Sequence, residues 1–181
     1  MPEMMELLRQ AGFQPALNQD DDFPVLSGEY AASIKTLRPY QDKDSGEKTA
    51  YMAQFKIGQT LSGDLGDNRL LTKWYRIGGT DYQGAPLTDE AKAEALKELV
   101  NDCFTAGVTL DMSSTEAFEA SFAGAIDAAC FIRAWGYLTK TEKAKPVEEQ
   151  KKRQDFVIKQ KKDLRKASLD GASGKTSQAP F

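Results

Sequence analysis

The chain has 181 residues, of which 40% are apolar and 28% charged, and its net charge is −3. This length fits one domain with extensions, and the longest weakly polar stretch, residues 117–135, is interrupted by charges, so no membrane-spanning helix is predicted. The chain has no histidine, which removes the commonest general base and metal ligand and every triad that depends on them. We therefore predict a binding protein and not an enzyme, with no cofactor.

The first residues have neither the basic start nor the apolar core of a signal peptide, which predicts a cytoplasmic protein. Cys103 and Cys130 are too few for a zinc site of four Cys or His ligands. We expect two buried free thiols, with a disulfide as the lesser alternative. Three adjacent aspartates at 20–22 could bind a hard cation, but they lack a spaced ligand pattern and are more typical of a solvated lead-in.

Charge is distributed unevenly along the chain. Residues 1–139 carry a balance of −9, whereas residues 140–181 carry +6. Such asymmetry indicates that the C-terminal part contacts a polyanion, and a solvated basic tail is the equal alternative.

Three segments in which the two faces alternate residue by residue, as in β-strands, follow the lead-in of residues 1–24. The first begins at Gly28 and ends at Pro39, and a polar turn at 42–46 separates it from the second, around residues 51–57. A third strand is predicted over 69–77. One face contains Leu70, Trp74 and Arg76 and the other contains Leu71, Lys73 and Tyr75, and the sequence does not indicate which is buried.

Helical signals occupy the middle of the chain. Thr88 is a predicted N-cap followed by two acids, and apolar residues from Leu96 to Cys103 recur at helical spacing. A second helix is predicted after Ser113 from a capping-box pattern. The period of two returns at 129–139, and a last strand is predicted over 153–161.

This order predicts a mainly β domain over residues 25–165, followed by a flexible tail at 166–181. Three antiparallel strands, helices between strands 3 and 4, and two further strands are the arrangement of a five-stranded antiparallel OB-fold barrel. Another small barrel or an α+β sheet is the alternative.

Basic and aromatic residues alternate on these strands, as in proteins that hold phosphates with cations and stack bases on rings. If Cys130, Ile132 and Ala134 face inward, Arg133, Trp135 and Tyr137 form one outward row. Core packing is the alternative for each ring taken singly. The predicted nucleic-acid-binding residues are Lys35, Arg38, Tyr40, Lys56, Arg69, Lys73, Trp74, Tyr75, Arg76, Arg133, Trp135, Tyr137, Lys159 and Lys161.

The segment from Leu26 to Ile34, the hairpin through Ser45 and Gly46, and the strand from Cys130 to Tyr137 before a Lys-rich stretch resemble phage-encoded OB-fold single-stranded DNA-binding proteins. The resemblance covers about residues 25–165 and implies coating of single strands in phage DNA replication or recombination, in the host cytoplasm. Pro180 and Phe181 are similar to the aromatic tip by which such proteins bind replication partners, although the acidic residues that normally precede it are missing. A protein-interaction module without nucleic-acid binding is the alternative function, a carboxylate-metal enzyme such as a nuclease is a lesser one, and a homo-oligomer is an open possibility.

Overall fold

The computed structural model describes residues 24–81 and 83–164. The described chain contains five strands and two main helices. The strands are β1 (Gly28–Gln41), β2 (Lys48–Gly63), β3 (Leu70–Arg76), β4 (Ala129–Tyr137) and β5 (Arg153–Lys159). The helices α1 (Asp89–Thr105) and α2 (Thr115–Ala120) lie between β3 and β4, and a third helix, α3 (Lys140–Lys143), is a single turn between β4 and β5.

The five strands form one antiparallel sheet in the order β3-β2-β1-β4-β5. Three consecutive strands with the fourth returning beside the first make a Greek key. In the described residues β3 and β5 are the two edges and do not pair with each other, so the sheet is open. The mainly β, five-stranded antiparallel architecture is therefore confirmed.

The sheet is strongly curved. Its register shifts at several points between β1 and β2, and such bulges bend a strand and increase its twist. Phe55 on β2 and Phe156 on β5 are three strand positions apart, roughly 14 Å in a flat sheet. Their ring centroids are nonetheless 5.5 Å apart, because the inner faces of the two strands curl toward each other.

The core fills this concave face. Alternate residues of the strands point into it, among them Tyr30, Ile57 and Ile132. Cys103 and Cys130 are buried there as free thiols, as expected from the sequence. Burial raises the pKa of each thiol to about 12, so both stay neutral and act as small apolar side chains.

The first main helix begins where its cap predicts, and the second begins one residue later than the capping box from Ser113 indicates. The Thr88 hydroxyl accepts a hydrogen bond from the Ala91 amide at 3.2 Å, and the Ser114 hydroxyl accepts one from Ala117 at 3.0 Å. Leu99 and Cys103 of α1 and Phe118 of α2 enter the core. The helices thus cover the inner face of the sheet and leave its outer face to solvent.

Strand boundaries differ from the prediction, most of all in β2, which spans Lys48–Gly63 and not only residues around 51–57, and in β1. β1 passes through Pro39 and ends at Gln41, because its pairing with β4 runs only from Gly28 to Ser33. Beyond that point β1 pairs with β2 alone, and a strand edge tolerates the missing proline N–H. Separately, the described part of the chain contains no helix that is long and apolar enough to cross a membrane.

Candidate nucleic-acid interface

The first three strands are basic within an acidic protein. Together β1, β2 and β3 contain six Lys or Arg residues and a single acid, Glu29. That acid is buried and accepts two hydrogen bonds from the Arg133 guanidinium, at 2.8 and 3.0 Å. Lys48 and Lys73 pair with acids of the helices, and the other four cations lie outside these pairs. The acids Asp42, Asp44 and Glu47 lie in the loop between β1 and β2.

Strand register arranges the outer face in rows. Arg38 on β1 lies opposite Met52 on β2, which in turn lies opposite Trp74 on β3. Tyr40 lies one row further toward the β1–β2 loop, opposite Ala50. Side chains opposite each other or on a diagonal of a sheet are within reach of aromatic groups, so this register brings a cation and two rings to one place.

Tyr40 and Trp74 form an aromatic pair across β2. Their ring centroids are 5.2 Å apart and the rings are nearly perpendicular, at 87°, a favoured arrangement for two aromatic groups. Met52 lies between them on the outer face and is only 7% exposed, whereas Trp74 is 42% exposed. One part of the indole is thus fixed by its neighbours while another part faces solvent and is open to stacking.

This pair belongs to a concave surface of about 810 Å³, which we name the Trp74 groove. Its other end is the β1–β2 loop, where the Asp42 carboxylate accepts hydrogen bonds from the amides of Asp44 and Ser45 at 2.8 and 3.0 Å. The bonds from Ser45 and Asp44 lower the pKa of Asp42 and fix the turn that carries Lys43. The residues that line the groove are Thr36, Arg38, Pro39, Tyr40, Gln41, Lys43, Met52, Gln54, Thr72 and Trp74.

Several cations surround the groove. Within the described residues Arg38, Lys43 and Lys56 are exposed and form no ion pair. Arg76 is exposed on the same face of β3, and its guanidinium donates to the Thr80 carbonyl at 3.1 Å. This leaves guanidinium and ammonium groups that can bind phosphate beside a ring that can stack on a base.

Two predicted cations lie apart from the groove. Lys35 is the extra residue of a register shift in β1 and lies 3.9 Å from the Asp127 carboxylate, with both side chains mostly exposed. Arg69 precedes β3, and its guanidinium donates to the Pro24 carbonyl at 2.7 Å. We therefore do not place either residue in the groove.

The structure corrects the prediction that Lys73 and Tyr75 bind nucleic acid. They point to the inner face, where Tyr75 is 1% exposed. The Lys73 ammonium and the Tyr75 hydroxyl each donate to Asp102 of α1 at 2.7 Å, and Lys73 also pairs with Glu98 at 2.7 Å. Burial raises the pKa of Tyr75 far above its usual value. Neither side chain can reach a ligand on the outer face.

The outward row predicted on β4 forms a separate surface. Arg133, Trp135 and Tyr137 alternate with buried Cys130, Ile132 and Ala134, so the predicted facing is correct. Arg133, however, is held by Glu29 and by the Asp163 carbonyl at 2.9 Å. Trp135 is partly buried, Tyr137 is exposed, Lys159 is partly buried on β5, and Lys161 is exposed in the turn that follows.

The β4 surface and the Trp74 groove are far apart. Gly28, which pairs with Ala134, lies ten positions from Arg38 along β1, roughly 33 Å of strand. Three strand spacings, about 14 Å, separate β3 from β4 across the sheet. The predicted residues therefore form two surfaces and not one continuous aromatic and basic face.

Sequence reasoning missed Lys43 and the small polar floor of the groove, Thr36, Gln54 and Thr72. Only the register between β1, β2 and β3 brings these residues beside Trp74, and register is not readable from composition. The polar turn at 42–46 was predicted, and its lysine was the one available signal.

The remaining predictions concern metal and tail sites. Within residues 24–81 and 83–164, no three acidic or Cys side chains are arranged to hold a metal ion. The aspartates at 20–22 and the proposed partner contact at Pro180 and Phe181 lie outside the described residues. Compared with protein-family models the chain matches none, and it shows no significant similarity to any curated protein.

Proposed function

We propose that the protein binds single-stranded DNA in the Trp74 groove, stacking a base on the exposed indole and holding phosphates with Arg38, Lys43 and neighbouring cations. The observation that carries this proposal is the half-exposed Trp74 ring, fixed edge-on against Tyr40, in a groove lined by the cations Arg38 and Lys43. A ring that stacks and a track that binds phosphate are the two elements of sequence-independent single-strand recognition.

The fold supports the same proposal. The strand order contains a Greek key, and the outer face of β2 and β3 together with the β1–β2 loop is the surface on which OB-folds bind oligonucleotides. We therefore propose that the curved open sheet is an OB-fold barrel that is not closed between β3 and β5. The role that fits is a cytoplasmic, non-enzymatic protein that coats and protects single strands during phage DNA replication or recombination.

The test is a titration of fluorescein-labelled dT15 with the full chain at several salt concentrations, followed by anisotropy. Three cations, Arg38, Lys43 and Lys56, are exposed without an ion pair in the described part of the chain, so the magnitude of the slope of log K against log salt should not exceed about 2. A duplex of the same length should bind at least about tenfold more weakly, because its bases are already stacked and cannot reach Trp74.

Three results would contradict the proposal. Absence of binding at low salt would exclude a nucleic-acid ligand, and binding independent of salt would exclude phosphate contacts. Equal affinity for duplex and single strand would exclude stacking on Trp74 as the basis of recognition.

A further inference from the structure

A second groove lies between α1 and α2, on the side of the sheet opposite the Trp74 groove. It has a volume of about 500 Å³, within the range of sites that bind small molecules or peptide side chains. Leu96 and Val100 of α1 line it together with Met112 and with Phe118 of α2. We name this surface the helical groove.

Large apolar side chains face water around the helical groove. Met112 is 72% exposed, and Phe104, one turn beyond Val100 on α1, is 65% exposed. Residues four apart on a helix lie on one face, so the row that starts at Leu96 continues to Phe104. A run of exposed apolar side chains with polar neighbours marks an interaction surface.

The surroundings of the groove are acidic. Residues 88–120 contain eight acids and two lysines. Lys73 pairs with Glu98 and Asp102, Lys48 pairs with Glu119, and Lys92 lies 3.9 Å from Asp89. Within the described residues this leaves four acids of the segment without an ion pair, Glu90, Glu94, Asp111 and Glu116. Glu94 lies in one helical row with Lys97 and Asn101, both of which line the groove, so Glu94 is on the groove side of α1. Among the described residues Lys97 is the one charged residue of the lining, and the acids of residues 88–120 outnumber it.

We propose that the helical groove docks a cationic peptide segment of another protein. One large apolar side chain of that segment would enter between Leu96, Met112 and Phe118, and its basic residues would lie beside Glu94 and the other acids. Charge complementarity selects this occupant, because the same acids repel nucleic acid and anionic lipid. The two grooves lie on opposite faces of the sheet, so DNA and the peptide can be bound at once.

The chain's own remaining segments fit the groove less well. Residues 1–23 carry five acids and one arginine, so the acids of residues 88–120 repel them. Residues 165–181 follow Asp163, whose carbonyl is held by Arg133 on the outer face of β4. That starting point is on the opposite side of the sheet from α1 and α2.

The proposal is tested by panning a phage library of random 12-residue peptides on the immobilised full chain in the absence of DNA, so that no phosphate can capture basic peptides. We expect enrichment of peptides with net positive charge and a large apolar residue. One enriched peptide is then synthesised and titrated by anisotropy. Met112→Ser should weaken its binding at least about tenfold, and Glu94→Lys about fivefold.

The matched controls are Val147→Ser and Glu148→Lys. Both residues are exposed, Val147 at 80%, in a segment between β4 and β5, so the same chemical changes there should leave peptide binding unchanged. Met112 and Glu94 are also exposed, so their substitution should not unfold the chain.

Several results would overturn the proposal. These are no enrichment, enrichment of acidic peptides, or equal binding to the Met112→Ser and Glu94→Lys variants and the unaltered chain. Displacement of the selected peptide by a synthetic peptide of residues 165–181 would assign the groove to this chain's own sequence. If the chain sediments as a dimer and dimer formation displaces the selected peptide, the helical groove would be assigned to a second copy of the chain.

Discussion

Replacing Trp74 by alanine removes the only stacking platform in the Trp74 groove that combines exposure with a fixed orientation. The loss of one stacked base costs about 1–3 kcal/mol, which corresponds to an affinity about 5- to 150-fold lower. Trp74 carries no charge, so the slope of log K against log salt should stay the same. This combination, lower affinity with unchanged salt dependence, separates stacking from phosphate contacts.

The effect on folding should be small enough to separate from the effect on binding. Trp74 is 42% exposed and lies on the outer face, so its removal costs its edge-on contact with Tyr40, about 0.5–1.5 kcal/mol, and part of the cover over Met52. Phe104→Ala is the matched control, because it deletes a ring that is 65% exposed on α1, away from the groove. Trp74→Phe should bind with intermediate affinity.

The assay combines anisotropy of labelled dT15 with intrinsic fluorescence. The chain contains two tryptophans, Trp74 and Trp135, so Trp135→Phe leaves Trp74 as the single reporter. Its emission should be quenched as dT15 binds. If Trp74→Ala folds normally by circular dichroism and binds dT15 as tightly as the unaltered chain, the assignment of the groove is refuted.

Arg38→Gln should reduce the magnitude of the salt slope by about 0.7, the contribution of one single-strand phosphate contact, as measured by dT15 titration from 50 to 300 mM NaCl; an unchanged slope would remove Arg38 from the interface. Trp135→Ala should not change the affinity for a pentamer, dT5, which is too short to span both surfaces, and a loss as large as that of Trp74→Ala would show that the two surfaces act as one. Glu29→Ala should lower the free energy of unfolding in urea by about 2 kcal/mol, because Arg133 loses its buried partner. The loss is limited because the Arg133 side chain is 34% exposed and can be hydrated. A change below about 0.5 kcal/mol would show that the pair is dispensable. Burial raises the pKa of Cys103 and Cys130 to about 12 from a usual 9.0, so the unfolded chain loses these protons at lower pH than the folded chain. The free energy of unfolding should therefore fall by about 3 kcal/mol from pH 8 to pH 10. The same fall of the urea midpoint in a double Cys→Ala variant would contradict this cause.

Periodicity and capping placed most elements correctly, because both act over a few residues. The outward facing of Trp135 and Tyr137 followed from the buried alternate residues of β4. The start of α1 followed from the Thr88 hydroxyl, which bonds to the nearby Ala91 amide. Each of these features is decided within one strand or one helical turn.

Sequence alone does not decide the facing of β3, because each of its sides combines apolar residues with a cation, Arg76 on one side and Lys73 on the other. The deciding partner is Asp102 on α1, which bonds to both Lys73 and Tyr75 at 2.7 Å. A lysine can face the core only where such a carboxylate compensates its charge. The compensating carboxylate is 29 positions away from Lys73 in the sequence, so no local pattern around β3 predicts it.

Arg133 shows a second case in which a distant residue decides the role of a side chain. It alternates outward with Trp135, as a DNA-contacting arginine would, yet Glu29 on the neighbouring strand occupies its guanidinium from 104 positions away. An exposed arginine and a structural arginine have the same local sequence pattern. Only the pairing of Glu29 with Arg133 in the β1–β4 register distinguishes them.

The net charge of −3 argues against DNA binding only if the charges are mixed over the surface, and they are not. The outer face of β1, β2 and β3 carries cations, whereas the acids of residues 88–120 lie on the helices that cover the inner face. Packed layers of secondary structure are separated by about 10 Å, and the side chains on the two outer surfaces are further apart still. At physiological salt the Debye length is about 8 Å, so a phosphate at Arg38 is attracted by the cations of its own face and is screened from most of the helical acids. The property that matters for binding is therefore the separation of charge across the sheet, which the total charge conceals.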